Sequence, residues 1–132
     1  VVILQINFEA ASPIYEQIIT QLKKKIARGE LEPGAKLPSQ RKLARQLEVN
    51  PNTVQRAYRE MEARQLVATK RGRGTFITEN REVVDQVKQE MVAEIVEKFW
   101  REMKSLGYAE PEIRQAVEEY AERWKETNGG DS

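Results

Sequence analysis

With 132 residues, the chain has room for one ordinary domain, or for a small domain of about 75 residues with a helical appendix, and none for a large catalytic domain. Hydrophobic residues at 39% and charged residues at 33% permit a packed core and exclude wholesale disorder. The absence of Cys and His removes disulfides, zinc sites and His-dependent triads, so no catalytic residue, metal or cofactor is expected.

No apolar run approaches the roughly 18 residues of a membrane span. The opening VVILQINFEA lacks the basic n-region of a signal peptide. The protein is therefore read as cytoplasmic, without a membrane partner. Its net charge of +1 conceals an asymmetry: residues 36–74 hold ten bases against three acids, and residues 75–132 hold eight against fourteen. Such a split suits a polyanion on one face, although composition alone fits a solvated charged surface equally well.

Ser12-Pro13 reads as a helix start, with the hydroxyl capping free N–H groups and Pro at the first helical position, where its missing N–H costs nothing. Ile14, Ile18, Leu22 and Ile26 follow at helical spacing, and Arg28-Gly29 closes a helix predicted over 13–28. EPGAK at 32–36 is a turn in which Gly34 accepts positive φ. Ser39 caps a short second helix with Leu43, Ala44 and Leu47 on its apolar side, ending near Glu48. Asn50-Pro51 repeats the signal for a third, running to about Arg64 with Val54, Ala57, Tyr58 and Met61 on one face. Asn52, Gln55, Arg56 and Arg59 centre roughly 160° from that stripe, a polar and cationic row that cannot pack inward.

LVATKRGRGTFI, residues 66–77, reads as two strands joined by a basic, Gly-containing turn. A long helix is expected over 82–106, where Val83, Val84, Val87, Met91, Val92, Ile95, Val96, Phe99, Trp100, Met103 and Leu106 cover too wide an arc for one neighbour. Gly107 ends it. Pro111 opens another helix, with Ile113, Ala116, Val117, Tyr120, Ala121 and Trp124 on one stripe before a frayed tail, NGGDS. The fold class is thus mainly α with a small β wing. A winged helix-turn-helix over 1–78 precedes an antiparallel two-helix dimerisation region over 79–132.

The major groove of B-DNA admits one α-helix, and its base edges are read by side chains that donate and accept in pairs. Asn52, Gln55, Arg56 and Arg59 offer that chemistry. Alone they would be an ordinary solvated face; here a capped helix precedes them and a basic hairpin follows. In that geometry the third helix enters the groove while the second crosses the phosphates, which assigns Ser39, Arg41, Lys42 and Arg45 to the backbone. The turn Arg71-Gly72-Arg73-Gly74 needs glycine freedom for its shape, but not two arginines. Arg in a narrow minor groove beside slim backbone reads DNA shape. A phosphate-cradling nucleotide loop fits poorly, since no helix N-terminus follows RGRG.

Taken together, PIYEQI, KLPSQRKLARQL, VNPNTVQRAYREME and GTFI, within residues 13–77, resemble the DNA-binding domain of the GntR family of bacterial transcriptional regulators. The wording NPNTVQRAYRE and the short remainder resemble the YtrA subfamily, which implies a C-terminal helix pair used for dimerisation and regulation of neighbouring transporter genes. By position, the resemblance implies DNA contacts at Arg41, Asn50, Asn52, Thr53, Gln55, Arg71 and Gly72. Two residues depart from the family pattern. Gln65 stands where Gly is usual, so the exit of the third helix needs another cap or a strained residue. Gln55 stands where many relatives have Arg, which favours adenine over guanine if it reaches a base.

The acidic C-terminal helices either pack on the winged domain or cover each other in a homodimer. The breadth of the apolar arc favours the dimer, with Val84, Val87, Met91, Ile95, Phe99, Trp100, Met103, Tyr120 and Trp124 at its interface. Two recognition helices would then lie about one DNA turn, ~34 Å, apart on a near-palindrome. A small-molecule effector of unknown identity between these helices stays open. The partners expected are therefore double-stranded DNA and a second copy, acting most simply as a repressor. The competing class is a winged-helix protein-interaction module without DNA specificity; it would carry apolar residues where the third helix shows Asn, Gln and Arg.

Overall fold

A computed structural model describes residues 2–129. In chain order these form α1 (Ile14–Ala27), α2 (Gln40–Leu47), α3 (Pro51–Ala63), β1 (Val67–Lys70), β2 (Gly74–Ile77), α4 (Arg81–Ser105) and α5 (Glu110–Thr127). The chain divides into two compact units between Gln89 and Glu90, inside α4. The first unit thus takes in the opening turns of α4, beyond the boundary expected at residue 78. Val1 and residues 130–132, the end of the NGGDS tail, lie outside the described residues.

The start of α1 differs from the expected one. Pro13 itself takes the N-cap position and no side chain caps the helix. The preceding segment is tied along the helix flank instead. Gln17 Oε1 accepts from Asn7 N, and Gln17 Nε2 donates to Asn7 O, both at 2.9 Å. One turn on, Gln21 Oε1 accepts from Gln5 N at 2.7 Å while Nε2 donates to Gln5 O. Each amide side chain copies a rung of a β ladder, so Gln5 and Asn7 have both backbone groups paired. Leu4 is thereby carried into the core at 8% exposure.

Ile18, Leu22 and Ile26 form the buried face of α1, which packs on α3. Ser39 Oγ accepts from Lys42 N at 3.1 Å and caps α2 as expected; Asn50 Oδ1 accepts from Asn52 N at 2.8 Å and caps α3, with Pro51 in its first turn. Leu43, Ala44, Val54, Ala57, Tyr58 and Met61 are buried between the helices, each larger apolar side chain contributing about 1.5–3 kcal/mol. Tyr58 also donates its hydroxyl to the Pro38 carbonyl at 2.7 Å. Burial pushes that phenol well above its ordinary pKa, so it remains a donor and pins α3 to the loop before α2.

The exits of α2 and α3 share one device. Glu48 and Gln65 adopt left-handed conformations, with φ of 56° and 63°. Val49 N then reaches Ala44 O at 3.0 Å, and Leu66 N reaches Met61 O at 2.9 Å, the Schellman closure that glycine usually provides. The departure at Gln65 is therefore met by backbone strain in a non-Gly residue.

β1 and β2 pair antiparallel from Val67↔Ile77 to Lys70↔Gly74. The stretch read as a simple turn contributes more than that. Ile77 N donates to Ala35 O and Leu37 N to Thr75 O, both at 2.8 Å, and Lys36 bridges to Phe76. A short edge segment thus extends the two-stranded wing and ties it to the N-terminal side of α2.

In the second unit, Gly107 turns left-handed at φ 86° after α4, and Glu112 Oε1 accepts from Ala109 N at 2.8 Å to open α5. Among its described residues only Ile113 is a buried hydrophobic. Ile95 is 63% exposed, Tyr120 56% and Trp124 50%. Phe99, Met103, Val117, Tyr120 and Trp124 line an open cleft of about 600 Å³. No described helix is long and apolar enough to cross a membrane.

Candidate nucleic-acid interface

The capping residues that start α2 and α3 also decide which side chains come together. Ser39, Arg41, Lys42 and Arg45 are all exposed on and beside α2. Arg41, Arg45 and Glu48 share a shallow depression with Pro51 at the start of α3, so the α2 cations continue into the α3 N-terminus. On the other side, Lys36, Ser39 and Lys42 line a second depression, which links α2 to the edge of the wing. Asn50 is exposed but commits its Oδ1 to the α3 cap; its amide nitrogen is left to donate outward.

Along α3, Asn52, Gln55 and Arg59 are exposed and Thr53 is half-buried. Arg56 is exposed too, yet it does not join them as a free side chain. Its guanidinium carbon lies 3.7 Å from the Tyr15 ring centroid, and Nη2 donates to the Tyr15 hydroxyl at 3.1 Å. The expected four-residue row is therefore three free side chains and one directed toward α1. Desolvation raises the Tyr15 phenol pKa even with the Arg56 cation beside it lowering it, so the hydroxyl keeps its proton.

Arg71, Gly72 and Arg73 form the exposed tip of the wing. Gly72 needs its freedom there, at φ 75°, while Arg73 N closes the turn on Lys70 O at 2.8 Å. Gly74 serves a close approach instead: a Cβ at this residue would sit 2.8 Å from Lys36 Cε. That approach lets Lys36 and Lys70 flank Phe76, with their Nζ atoms 6.0 and 4.9 Å from its ring centroid. Neither lysine is marked by any local sequence signal. Lys36 sits far from Lys70 along the chain, and only the edge pairing with Phe76 unites them.

The expected dimer residues separate by burial. Ile95, Phe99, Tyr120 and Trp124 are exposed, and Val84, Met91, Trp100 and Met103 are half-buried. Val87 is 7% exposed and counts among the buried hydrophobic residues of its own chain. Among the described residues no cluster of acids has metal-binding geometry.

Three helices, a cationic turn between paired strands and an exposed amide-bearing helix face define the class, a winged helix-turn-helix protein. The model of the bacterial regulatory proteins of the gntR family matches residues 14–77. Over 116 residues the chain is 45% identical to the uncharacterized HTH-type transcriptional regulator YhcF of Bacillus subtilis, spanning 88% of this chain and 96% of that protein. The HTH-type transcriptional repressor YtrA of Bacillus subtilis is 51% identical over 77 residues, 58% of this chain and 59% of its relative. A solved GntR family transcriptional regulator from Listeria monocytogenes matches with a TM-score of 0.79 at 38% identity, over 85% of this chain and 98% of that one. The AraR DNA-binding domain in complex with operator ORX1 matches with a TM-score of 0.52 at 25% identity, over 57% of this chain and 96% of that one. The chain belongs to the GntR family of bacterial transcriptional regulators, and within it resembles YtrA and YhcF.

Proposed function

We propose that this regulator is a sequence-specific repressor that binds a near-palindromic operator as a homodimer. Helix α3 enters the major groove, where Asn52, Gln55 and Arg59 meet base edges with Thr53 at the groove wall. Ser39, Arg41, Lys42, Arg45 and Asn50 hold the phosphates, and Arg71–Arg73 enter the adjacent minor groove. Asn and Gln pair bidentately with adenine, whereas Arg prefers guanine; the α3 face therefore favours half-sites with both bases. The carrying observation is the exposed α3 row between the α2 cations and the basic wing tip. YtrA, a repressor by name, and the AraR domain, solved on an operator, support the same reading.

The second copy is supported by the uncovered apolar side chains of α4 and α5. Exposed apolar surface of that kind marks an interaction face, and a two-fold partner would cover equivalent residues on both chains. The experiment is a binding selection on random duplexes followed by a salt titration on the selected site. A two-fold symmetric consensus is expected, with log K falling linearly in log salt. Absence of salt-sensitive attachment to any duplex would overturn the DNA reading, and an asymmetric single half-site would overturn the dimer.

A further inference from the structure

Arg56 occupies the recognition helix but is held from three directions. Its ring partner Tyr15 belongs to α1, at 3.7 Å. Its Nη2 donates to the same residue's hydroxyl at 3.1 Å, and its Nε lies 3.7 Å from Glu60 Oε1 one turn along α3. The Tyr15 hydroxyl in turn donates to Glu16 at 3.3 Å. A long side chain with this many directional partners loses rotamer freedom that a groove-reading arginine would need.

α1 and α3 also pack against each other, and each buries apolar residues, Ile18 and Leu22 on one and Val54 and Ala57 on the other. Apolar attraction is non-directional, so it resists separation of the helices more than it resists a roll of α3 about its axis. Such a roll matters at the groove. At the about 5–6 Å radius of a helix with side chains, roughly 20° of rotation moves a tip by about 2 Å, enough to break a bidentate base contact. A planar guanidinium stacked on an aromatic face and hydrogen-bonded at its rim adds the directionality that apolar packing lacks.

We propose that Tyr15 and Arg56 clamp α1 to α3 and fix the roll of the recognition helix, so that Arg56 is a positioning residue for Asn52, Gln55 and Arg59 and does not itself contact DNA. The inference rests on the DNA reading above. It assigns to α1 a part in base preference, although α1 carries none of the proposed DNA contacts.

The test compares Y15F, Y15A, R56A and the Y15A/R56A double variant of the full chain, after thermal melts confirm that each is folded. Affinity for the selected operator is measured across a salt series, and the selection is repeated. Y15A and R56A should each weaken operator binding about three- to tenfold, with an unchanged salt slope and a flatter preference at the bases under α3. The double variant should be no weaker than the weaker single, and Y15F, which keeps the ring but loses the hydroxyl that accepts from Arg56, should fall between the parent and Y15A. A salt slope lowered by about one in R56A would make Arg56 a phosphate ligand and overturn the proposal. Full additivity of the two single losses, tighter binding by Y15A, or an unchanged consensus in both single variants would overturn it as well. Should R56A fail to fold, R56K takes its place: it keeps the charge and loses the planar stack, and the proposal requires it to flatten base preference. If the parent protein binds no duplex in a salt-sensitive way, the DNA reading fails, an outcome distinct from any of these.

Discussion

The two compact units solve the burial problem differently. Up to Gln89, Ile18, Leu22, Leu37, Leu43, Val54, Met61, Leu66 and Ile77 are almost wholly removed from water. After it, Ile113 is the buried hydrophobic among the described residues, while Val92, Ile95, Val96, Val117, Tyr120 and Trp124 are about half exposed or more. Similar apolar content therefore yields a filled core in one unit and uncovered faces in the other. Three short helices crossing a wing enclose a volume; two helices joined by a short turn have an outer surface too large to cover each other. The first unit thus buries its large apolar residues by its own contacts, whereas the second leaves most of its own exposed.

That contrast breaks most sharply at Ile95. Ile95→Glu puts an unpaired charge into the proposed dimer face and should weaken self-association by about 4 kcal/mol, read by sedimentation at several concentrations. An unaltered association constant would remove this face of α4 from the interface. Next in size, Leu43→Ala in the filled core should destabilise the winged unit by about 3 kcal/mol, measured by denaturant unfolding. A loss below about 1 kcal/mol would mean that the core around α2 collapses onto the vacancy, contrary to its close packing.

Smaller effects sharpen the comparison within the winged unit. Arg41→Ala should cost about 1–2 kcal/mol in operator binding and lower the salt slope by about one, with the thermal midpoint barely moved because the side chain is exposed. Equal binding across the salt series would exclude Arg41 from the phosphate set. The smallest expected change is a gain. Gln65→Gly relieves a residue held at φ 63° and should stabilise the unit by up to about 1 kcal/mol, reduced by the greater freedom of glycine in the unfolded chain. A measured loss would show that the Gln65 side chain contributes more than its backbone strain costs.

Most local features were legible in the sequence because their causes are local. Ser39 and Asn50 cap helices three or fewer residues from themselves, and the stripe from Val54 to Met61 announces its helix by spacing alone. Pro13 sits one position before the expected one, at the N-cap, where the approach to α1 is held by Gln17 and Gln21 bonding to Asn7 and Gln5. The same limit explains Arg56. Periodicity gives the azimuth of its Cα–Cβ bond, but a flexible side chain ends where its partner lies, and Tyr15 is on another helix.

By itself the sequence determined the helix boundaries to within a residue or two, the basic wing and the amide-rich face of α3, since caps, turns and periodicity act over a few residues. Only the tertiary structure decided that Lys36 completes the wing edge, that Val87 belongs to the core and that Arg56 leans on α1. Those outcomes depend on which distant segments meet, and burial and stacking energies are fixed by that meeting rather than by any residue's neighbours in the chain.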